Sequence, residues 1–168
     1  MRSHLAFYSP EWDSKIRNFT LDEAQKSFVF LPSAVIDWSI EDKNCFPVVI
    51  LYEDEPVGFF VLHYSEEAQT FTKTVNAIFL RAFSIDRKHQ GKGFAGLAMN
   101  NLPKFVLDHF PQVVEIILTV NENNLPAKRL YEKSGFLYGG KSKVGRSGIE
   151  LVMHFHFQKK HNRVNRIE

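Results

Sequence analysis

The sequence predicts a single domain of the α/β class, and two observations support this prediction. Runs rich in β-branched and aromatic residues alternate with amphipathic segments in the order α, β, β, β, α, β, α, β, β. The chain of 168 residues is 44% hydrophobic and 24% charged, which suits a globular domain with a hydrophobic core. We expect the domain to span residues 1–157 and the polar, basic residues 158–168 to form a frayed tail.

The first third of the chain is predicted to contain two short helices and a β-hairpin. Apolar residues at helical spacing indicate helices over residues 19–30 and 34–40, separated by a Leu-Pro pair that interrupts helical hydrogen bonding. Two β-branched runs, 48–52 and 57–64, flank an acidic turn that contains a proline, and this pattern is typical of a hairpin.

Four further strands and two helices are predicted in the rest of the chain. Residues 74–85 and 115–120 are β-rich. Residues 94–107 carry apolar side chains on one helical face, although Pro103 lacks a backbone N–H and is expected to kink or end this helix. Two final β-like runs, over 136–144 and 149–157, complete the pattern.

The last helix has both of its ends marked in the sequence. Asn124 is a residue type that caps helix N-termini, and Pro126 suits the first turn. Gly135 suits the left-handed residue that ends a helix.

A glycine-rich segment between a predicted strand and a predicted helix suits a phosphate. It runs from Ile85 to Ala95 with the sequence IDRKHQGKGFA. Gly91 and Gly93 permit tight bends and carry no Cβ, so that several N–H groups point outward at a helix N-terminus, where the dipole favours an anion. For the segment alone, a glycine-rich turn without a ligand is the alternative interpretation.

The same glycines also satisfy Gly-x-Gly-x-x-Gly, the pattern of dinucleotide-binding folds. A Rossmann turn leaves its strand almost directly into the first glycine, whereas charged residues intervene here over 86–90. Too little chain follows for the remaining βα units. No Lys-Ser or Lys-Thr pair follows the second glycine, so the Walker pattern is not met either.

A second motif lies in residues 118–136 and changes the interpretation of the first. Gln90, Gly93 and Ala95 fit Gln/Arg-x-x-Gly-x-Gly/Ala. The later segment fits Asn-x-x-Ala-x-x-Leu-Tyr-x-x-x-Gly-Phe through Asn124, Ala127, Leu130, Tyr131, Gly135 and Phe136. In this order the two motifs resemble the GNAT superfamily of acyl-CoA-dependent N-acetyltransferases. The loop and the preceding strand are similar to those of diamine and spermidine acetyltransferases within it.

The resemblance implies a fold, a reaction and a set of site residues. The fold is a mixed, mostly antiparallel sheet of six to seven strands, flanked by helices and splayed at the central strands. The reaction is direct transfer of the acetyl group of acetyl-CoA to a primary amine, with Tyr131 protonating the departing thiolate. The cofactor-binding residues that it implies are Phe83, Ile85, Gln90, Gly91, Lys92, Gly93, Phe94, Ala95, Asn124 and Lys133.

Several of these residues have a second interpretation that the sequence leaves open. Tyr131 also suits a core aromatic residue, and Asn124 also suits a helix cap. We expect the backbone of Phe83 and Ile85 to bind the pantetheine amides while their side chains enter the core. The neighbours Lys88 and His89 are expected on the solvated surface.

The charge distribution bears on both ligands. The net charge is +2, but residues 1–67 contain twelve acidic and five basic residues, net −7, and residues 68–168 carry +9. We therefore expect the polyanionic CoA on the C-terminal half and a small cationic amine, such as a polyamine, on the acidic part. Arg81 does not fit the expectation of a cationic acceptor, because it places a positive charge on the central strand close to the presumed acceptor site. No basic stripe interleaved with aromatic residues is present, so nucleic acid is not an expected partner.

The remaining expectations are mostly absences. Residues 1–13 carry no secretory signal, and the longest apolar run, 57–62, is too short to cross a bilayer, so a soluble cytoplasmic protein without a membrane partner is expected.

The single cysteine, Cys45, excludes an internal disulfide and is expected to be a buried small hydrophobe. No metal is expected, because no His-x-x-x-His spacing lies on a helix. The histidines on predicted strands are His63, His154 and His156.

Three questions stay open from the sequence. The catalytic base is unassigned, with Asp37, Glu41, His63 and Tyr64 on the presumed acceptor side. The acceptor is either a small amine, a peptide or protein amine, or an aminoglycoside, and a non-catalytic acyl-CoA-binding domain is the alternative to an enzyme. A homodimer is possible, but the sequence does not determine the oligomeric state.

Overall fold

The computed structural model describes residues 2–158, which form a seven-stranded sheet with helices on both faces. Neighbouring strands follow the order β1-β2-β3-β4-β5-β7-β6. Every pair is antiparallel except β4 with β5. The strands are β1 Ser3–Phe7, β2 Cys45–Tyr52, β3 Glu55–His63, β4 Ala77–Ile85, β5 Glu115–Asn121, β6 Leu137–Gly145 and β7 Gly148–His156.

Six α-helices and two single 3₁₀ turns join these strands. The helices are α1 Asp13–Arg17, α2 Glu23–Lys26, α3 Pro32–Glu41, α4 Ala68–Phe71, α5 Phe94–His109 and α6 Leu125–Lys133. The 3₁₀ turns are Pro10–Trp12 and Arg87–His89. Within residues 2–158 no helix combines the length and the apolar character that crossing a membrane requires.

The two faces of the sheet are covered by different helices. On one face α5 and α6 bury apolar residues such as Leu102 and Val106 against the strands. On the other face, Ile16 of α1 and Ile36 of α3 are fully buried against Val61 and its neighbours. Alternate residues of each strand enter opposite cores, because successive side chains of a strand point to opposite faces.

The centre of the sheet is splayed. β4 and β5 pair over three residues only, from Ala77 opposite Glu115 to Phe79 opposite Ile117. Beyond that point the strands diverge and leave the backbone of residues 80–85 without a strand partner on that side. A β-bulge adds to the distortion, since Ala82 and Phe83 together face Phe60 of β3, and Ala82 has a φ of 53°.

Most predicted elements are confirmed, but the helix expected over residues 19–30 was wrong and two elements that precede it were not predicted. Residues 19–30 contain only the four-residue α2, although α1 and β1, which were not predicted, lie before it. Pro103 lies inside α5 and does not end it. Leu102 and Phe105 are buried on either side of the proline, and this packing compensates for the missing hydrogen bond. The predicted tail falls outside the described residues apart from residue 158.

Candidate active site

A cavity of about 740 Å³ opens where β4 and β5 diverge. Its walls come from four parts of the fold: the diverging strands, the glycine segment with the start of α5, the inner face of α6, and the region from α2 to α3. The tip of the β6–β7 hairpin closes the cavity from above. There the Arg146 guanidinium donates to the backbone oxygen of Lys26 at 2.6 Å, and the Ser147 hydroxyl donates to that of Ser27.

The glycine segment presents a row of free backbone donors. Gly91 and Gly93 have φ values of 72° and 85°, in the left-handed region that favours glycine. A Cβ built on either glycine meets no atom within 4 Å, so the space in front of both is open. Among residues 2–158, no acceptor receives a hydrogen bond from the N–H groups of residues 91–96. The first turn of α5 contributes several of these donors, at the positive end of its dipole.

The side chain of Gln90 holds the glycine segment in place. Its Nε2 donates to the backbone oxygen of Ile85 at 2.9 Å and to Oε1 of Gln25 at 3.0 Å, and Gln25 Nε2 donates back to Gln90 Oε1 at 2.9 Å. Gln25 is itself part of a capping box with Asp22 at the start of α2. Gln90 therefore connects the end of β4 to α2 on the other side of the cavity.

Tyr131 lies on α6, which forms another wall of the cavity. It is 8% exposed, packs edge-on to Phe83 with ring centroids 6.4 Å apart, and lines the cavity. Its hydroxyl has no hydrogen-bond partner among the described residues. Burial raises the pKa of the Tyr131 hydroxyl above its usual value, so the group stays protonated at neutral pH. Tyr131 is thus both a core aromatic residue and a protonated phenol at the cavity wall.

Two asparagines fix the far end of β5. Asn124 Oδ1 accepts from the N–H of Ala127 at 3.4 Å, which confirms the predicted helix cap, and Asn124 also lines the cavity. The buried Asn121 was not singled out from the sequence. Its Nδ2 donates to the backbone oxygen of Ser147 at 3.0 Å, and its Oδ1 accepts from the N–H of Asn123 at 2.9 Å, so it anchors the hairpin tip over the cavity.

The part of the cavity formed by the region from α2 to α3 has an aromatic wall. Phe28, Phe30 and Trp38 line it, and Phe30 and Trp38 remain 51% and 41% exposed. Large exposed aromatic surface inside a concave site is typical of a position that an apolar ligand covers. The guanidinium of Arg146 lies 4.0 Å from the centre of the Phe30 ring.

Acidic and basic side chains alternate in a row at the floor of this part of the cavity, and three of them, Arg81, Lys143 and Glu150, line it. Glu67 accepts from Arg81 and from Lys143, both at 2.7 Å, and Lys143 lies 3.6 Å from Glu150. Burial raises the pKa of Glu67, but hydrogen bonds from Lys143 and Arg81 outweigh this effect and hold the pKa below its usual value. Arg81 also donates from Nε to His63 Nδ1 at 3.1 Å. Because each base here has an acidic partner, the floor is close to neutral.

Most of the implied cofactor-binding residues line the cavity. Those that do are Phe83, Ile85, Gln90, Gly91, Gly93, Phe94, Ala95 and Asn124. Lys92 and Lys133 do not line it, and both side chains are exposed. No local pattern indicated Lys143, Arg146 or Glu150, because only the folded hairpin brings them over the cavity.

Other expectations have mixed outcomes. Cys45 is buried, as expected, and burial raises the pKa of its thiol to about 12. His89 was expected on the solvated surface, and this was wrong: it lines the cavity, and its buried Nε2 has no partner among the described residues. Burial, together with Lys88, lowers its pKa.

None of the four side chains considered as catalytic base lines the cavity. Asp37 accepts from Arg17 at 2.7 Å, and the hydroxyl of Tyr64 is buried without a partner among the described residues. Burial and then Arg81 lower the pKa of His63. Glu150 is the carboxylate that lines the cavity within the described part of the chain.

Comparison with known proteins gives one family. A model of the acetyltransferase (GNAT) family matches residues 10–136. The uncharacterized N-acetyltransferase YbbJ of Bacillus subtilis (strain 168) is 44% identical over 154 residues, 91% of this chain and 96% of the relative. The spermine/spermidine N(1)-acetyltransferase of the same strain is 29% identical over 135 residues, 76% of this chain and 84% of the relative. The fold is similar to that of aminoglycoside acetyltransferase AAC(6′)-Ib in complex with coenzyme A, with a TM-score of 0.71 at 16% identity over 92% of this chain and 95% of that one.

Proposed function

Because the chain belongs to the acetyltransferase (GNAT) family, we propose that it transfers the acetyl group of acetyl-CoA directly to the primary amine of a small acceptor bound in the cavity. The observation that carries this proposal is the pairing of two features across one cavity. The glycine segment, whose N–H groups at residues 91–96 have no partner within residues 2–158, contributes one wall, and α6 with the protonated Tyr131 contributes another.

The glycine segment is proposed to bind the diphosphate of acetyl-CoA. Consecutive N–H groups at a helix N-terminus are a general anion site, and the open space in front of Gly91 and Gly93 lets phosphate oxygens approach the backbone. The fold neighbour with a TM-score of 0.71 contains coenzyme A, which supports the same co-substrate here. Lys92 lies in the segment and is available for charge-assisted contacts from outside the cavity.

The pantetheine arm is proposed to lie in the gap between β4 and β5. There the backbone of Phe83 has no strand partner in β5, so its amide groups are free to bond the arm. The oxygen of Ile85 already accepts from Gln90, so any contact of this carbonyl with the arm uses its second lone pair. Asn124 faces the same gap from the start of α6.

The chemistry requires two proton transfers. The acceptor nitrogen attacks the thioester carbonyl carbon and loses a proton, while the carbon–sulfur bond breaks and the sulfur takes a proton. We assign the second proton to Tyr131, because its buried hydroxyl is held in the protonated form. The same dry surroundings disfavour a free thiolate, which makes proton transfer to sulfur easier. We assign the oxyanion contact to a backbone N–H near Phe83, where the bulge turns the β4 backbone.

The acceptor is proposed to carry its amine on an apolar or aromatic body. Three aromatic side chains cover the acceptor end of the cavity, and its charged lining comprises Arg81, Lys143, Arg146 and Glu150. Because Arg81 and Lys143 are already paired with Glu67 and Glu150, the lining has no cluster of unpaired carboxylates, and a multiply charged cation gains little. Glu150 is the group that attracts a single ammonium.

A polyamine is the second candidate acceptor. The name of the relative that is 29% identical favours it. The acidic residues that suggested it from the sequence do not support it further: Asp37 is paired with Arg17, and neither Asp37 nor Glu41 lines the cavity.

The test is release of CoA thiol from acetyl-CoA with a panel of acceptors: arylalkylamines, amino acids, peptides, aminoglycosides and polyamines. The proposal predicts acceptor-dependent release, fastest with apolar monoamines, and loss of most of it in Tyr131→Phe. Fastest release with spermine or spermidine would instead identify a polyamine as the acceptor. Tight acetyl-CoA binding without release by any amine overturns the catalytic proposal in favour of a non-catalytic binding domain.

A further inference from the structure

A cluster of histidine and glutamate side chains lies on the sheet at the end of β5 remote from the cavity. β7 carries His154 and His156 two residues apart, and Glu115 opens the neighbouring β5. Glu115 is the cross-strand partner of His156, and Ile117 is the partner of His154. Because cross-strand partners and alternate residues share a face, all three polar side chains lie on the face opposite α5 and α6.

The three side chains converge on one point. His154 Nδ1 lies 2.5 Å and His156 Nε2 lies 3.9 Å from the same oxygen, Oε1, of Glu115. The two imidazole rings are parallel, with an interplanar angle of 3° and centroids 5.8 Å apart. One ligand atom from each of the three residues falls within 4.8 Å of the others.

The surroundings hold Glu115 in a fixed position. Its side chain is fully buried, at 0% exposure, and its second oxygen, Oε2, accepts from the Thr72 hydroxyl at 2.8 Å. Glu115 thus has a partner at each oxygen, Thr72 at Oε2 and His154 at Oε1. His156 makes no hydrogen bond within the described part of the chain, although it faces this carboxyl group. The cluster therefore has a buried carboxyl group in a fixed orientation, an imidazole bonded to it and a third side chain, His156, that is free to bind a ligand.

We propose that Glu115, His154 and His156 bind a divalent transition metal ion, with Zn²⁺ as the best match. Two imidazole nitrogens and one carboxylate oxygen are a common donor set for Zn²⁺, with metal–ligand distances of about 2.0–2.2 Å and a water in the fourth position. Such bonds place neighbouring ligand atoms roughly 3.3–3.6 Å apart in a tetrahedron. The oxygen-to-nitrogen distances of 2.5 and 3.9 Å bracket this value, so small side-chain rotations suffice.

On binding, the metal ion would replace the proton that lies between His154 Nδ1 and Glu115, and this proton would go to solvent. The charge of the ion would then neutralise the buried carboxylate. Thr72 would then orient the metal-bound carboxylate from outside the coordination sphere. The seven residues of β5 place this site about 20 Å from Asn121 at the cavity end. The ion would join β5 to β7 and take no part in acetyl transfer, so the site is independent of the proposed function.

The sequence expectation of no metal considered helical spacing, whereas the proposed site has strand spacing. A His-x-x-x-His pattern brings two histidines together on a helix, whereas His-x-His does so on a strand. Neither pattern reveals Glu115, which is brought beside His156 only by the register of β5 and β7.

The experiment uses the full chain without an affinity tag, stripped of metal by EDTA. Equilibrium dialysis against Zn²⁺ measures affinity and stoichiometry, and Co²⁺ in place of Zn²⁺ gives a visible spectrum that reports ligand geometry. We expect one equivalent of Zn²⁺ per chain and a tetrahedral Co²⁺ spectrum. His156→Ala should weaken Zn²⁺ binding by at least about tenfold, since loss of a mere supporting contact costs 10–100-fold.

Two controls keep the result interpretable. His156 has a side-chain exposure of 64%, so its replacement leaves the core intact, and circular dichroism of the metal-free variant checks this. His4→Ala removes an exposed histidine of β1 outside the cluster and should leave the affinity unchanged. Zn²⁺ binding that is absent from the wild type, or equally strong in His156→Ala, overturns the proposal.

Discussion

Replacing Gly93 by alanine tests the glycine segment most sharply, because the chain contains a matched control. Gly93 and Gly140 have φ values of 85° and 90°, and a Cβ on either meets no atom within 4 Å. Gly93 starts α5 beside the cavity, whereas Gly140 lies on the exposed strand β6. Both alanine variants therefore place an L-residue at positive φ, at a cost of about 1–2 kcal/mol. In a domain of this size such strain lowers Tm by roughly 2–8 °C in both variants.

The two variants should differ in their affinity for CoA. In Gly93→Ala the new Cβ lies where the diphosphate must approach, and relief of the strain turns N–H groups away from it. Loss of one charge-assisted hydrogen bond costs about 1.5–3 kcal/mol, which is a rise in Kd of roughly 10- to 150-fold. Gly140→Ala should bind CoA like the wild type. Isothermal titration calorimetry measures both, and equal CoA affinity of Gly93→Ala and Gly140→Ala would refute the assignment of the diphosphate to this segment.

Three further predictions concern the acid, the segment's anchor and the response to pH. Tyr131→Phe should lower kcat by about 100- to 10,000-fold while the Kd for acetyl-CoA, measured by calorimetry, stays within twofold; a fully active variant would mean that the acid is misassigned. Gln90→Ala removes three side-chain hydrogen bonds and should lower the free energy of unfolding in urea by about 1–3 kcal/mol, and an unchanged free energy would contradict its role as the anchor of the segment. The pKa of His63 is lowered in the folded protein. As the pH falls below about 6.5, the unfolded chain therefore takes up a proton at His63 before the folded protein does, and the folded protein loses stability. His63→Asn should flatten this decrease in Tm between pH 7 and 5 relative to His4→Asn, and an unchanged slope would contradict the origin assigned to it.

The fold was predictable where local chemistry and tertiary structure agree. Asn124 caps α6 and Gly135 has a φ of 93° after it, because these positions need a side-chain acceptor and a residue free to adopt positive φ. Pro103 shows the opposite case: its local effect is outweighed by burial of its neighbours in α5, which sequence periodicity alone does not measure.

The two motifs predicted only one side of the candidate site. The glycine segment and α6 are continuous stretches whose geometry follows from their own residues, so eight of the implied cofactor-binding residues line the cavity. The acceptor end is assembled from distant segments. Arg146 contacts the backbone of Lys26, which is 120 residues away, and Glu67 joins Arg81 to Lys143 across three elements. No local pattern carries such long-range pairing.

The most direct test of the account is an amide titration by NMR of the ¹⁵N-labelled protein, first with CoA and then with pantetheine, which lacks the diphosphate. CoA should shift the N–H resonances of residues 91–96 more than any others, because these donors have no hydrogen-bond partner within residues 2–158. Pantetheine should leave them nearly unmoved while it shifts the amide of Phe83. Saturating CoA binding with the largest shifts elsewhere, or with equal shifts for pantetheine, would contradict the central claim.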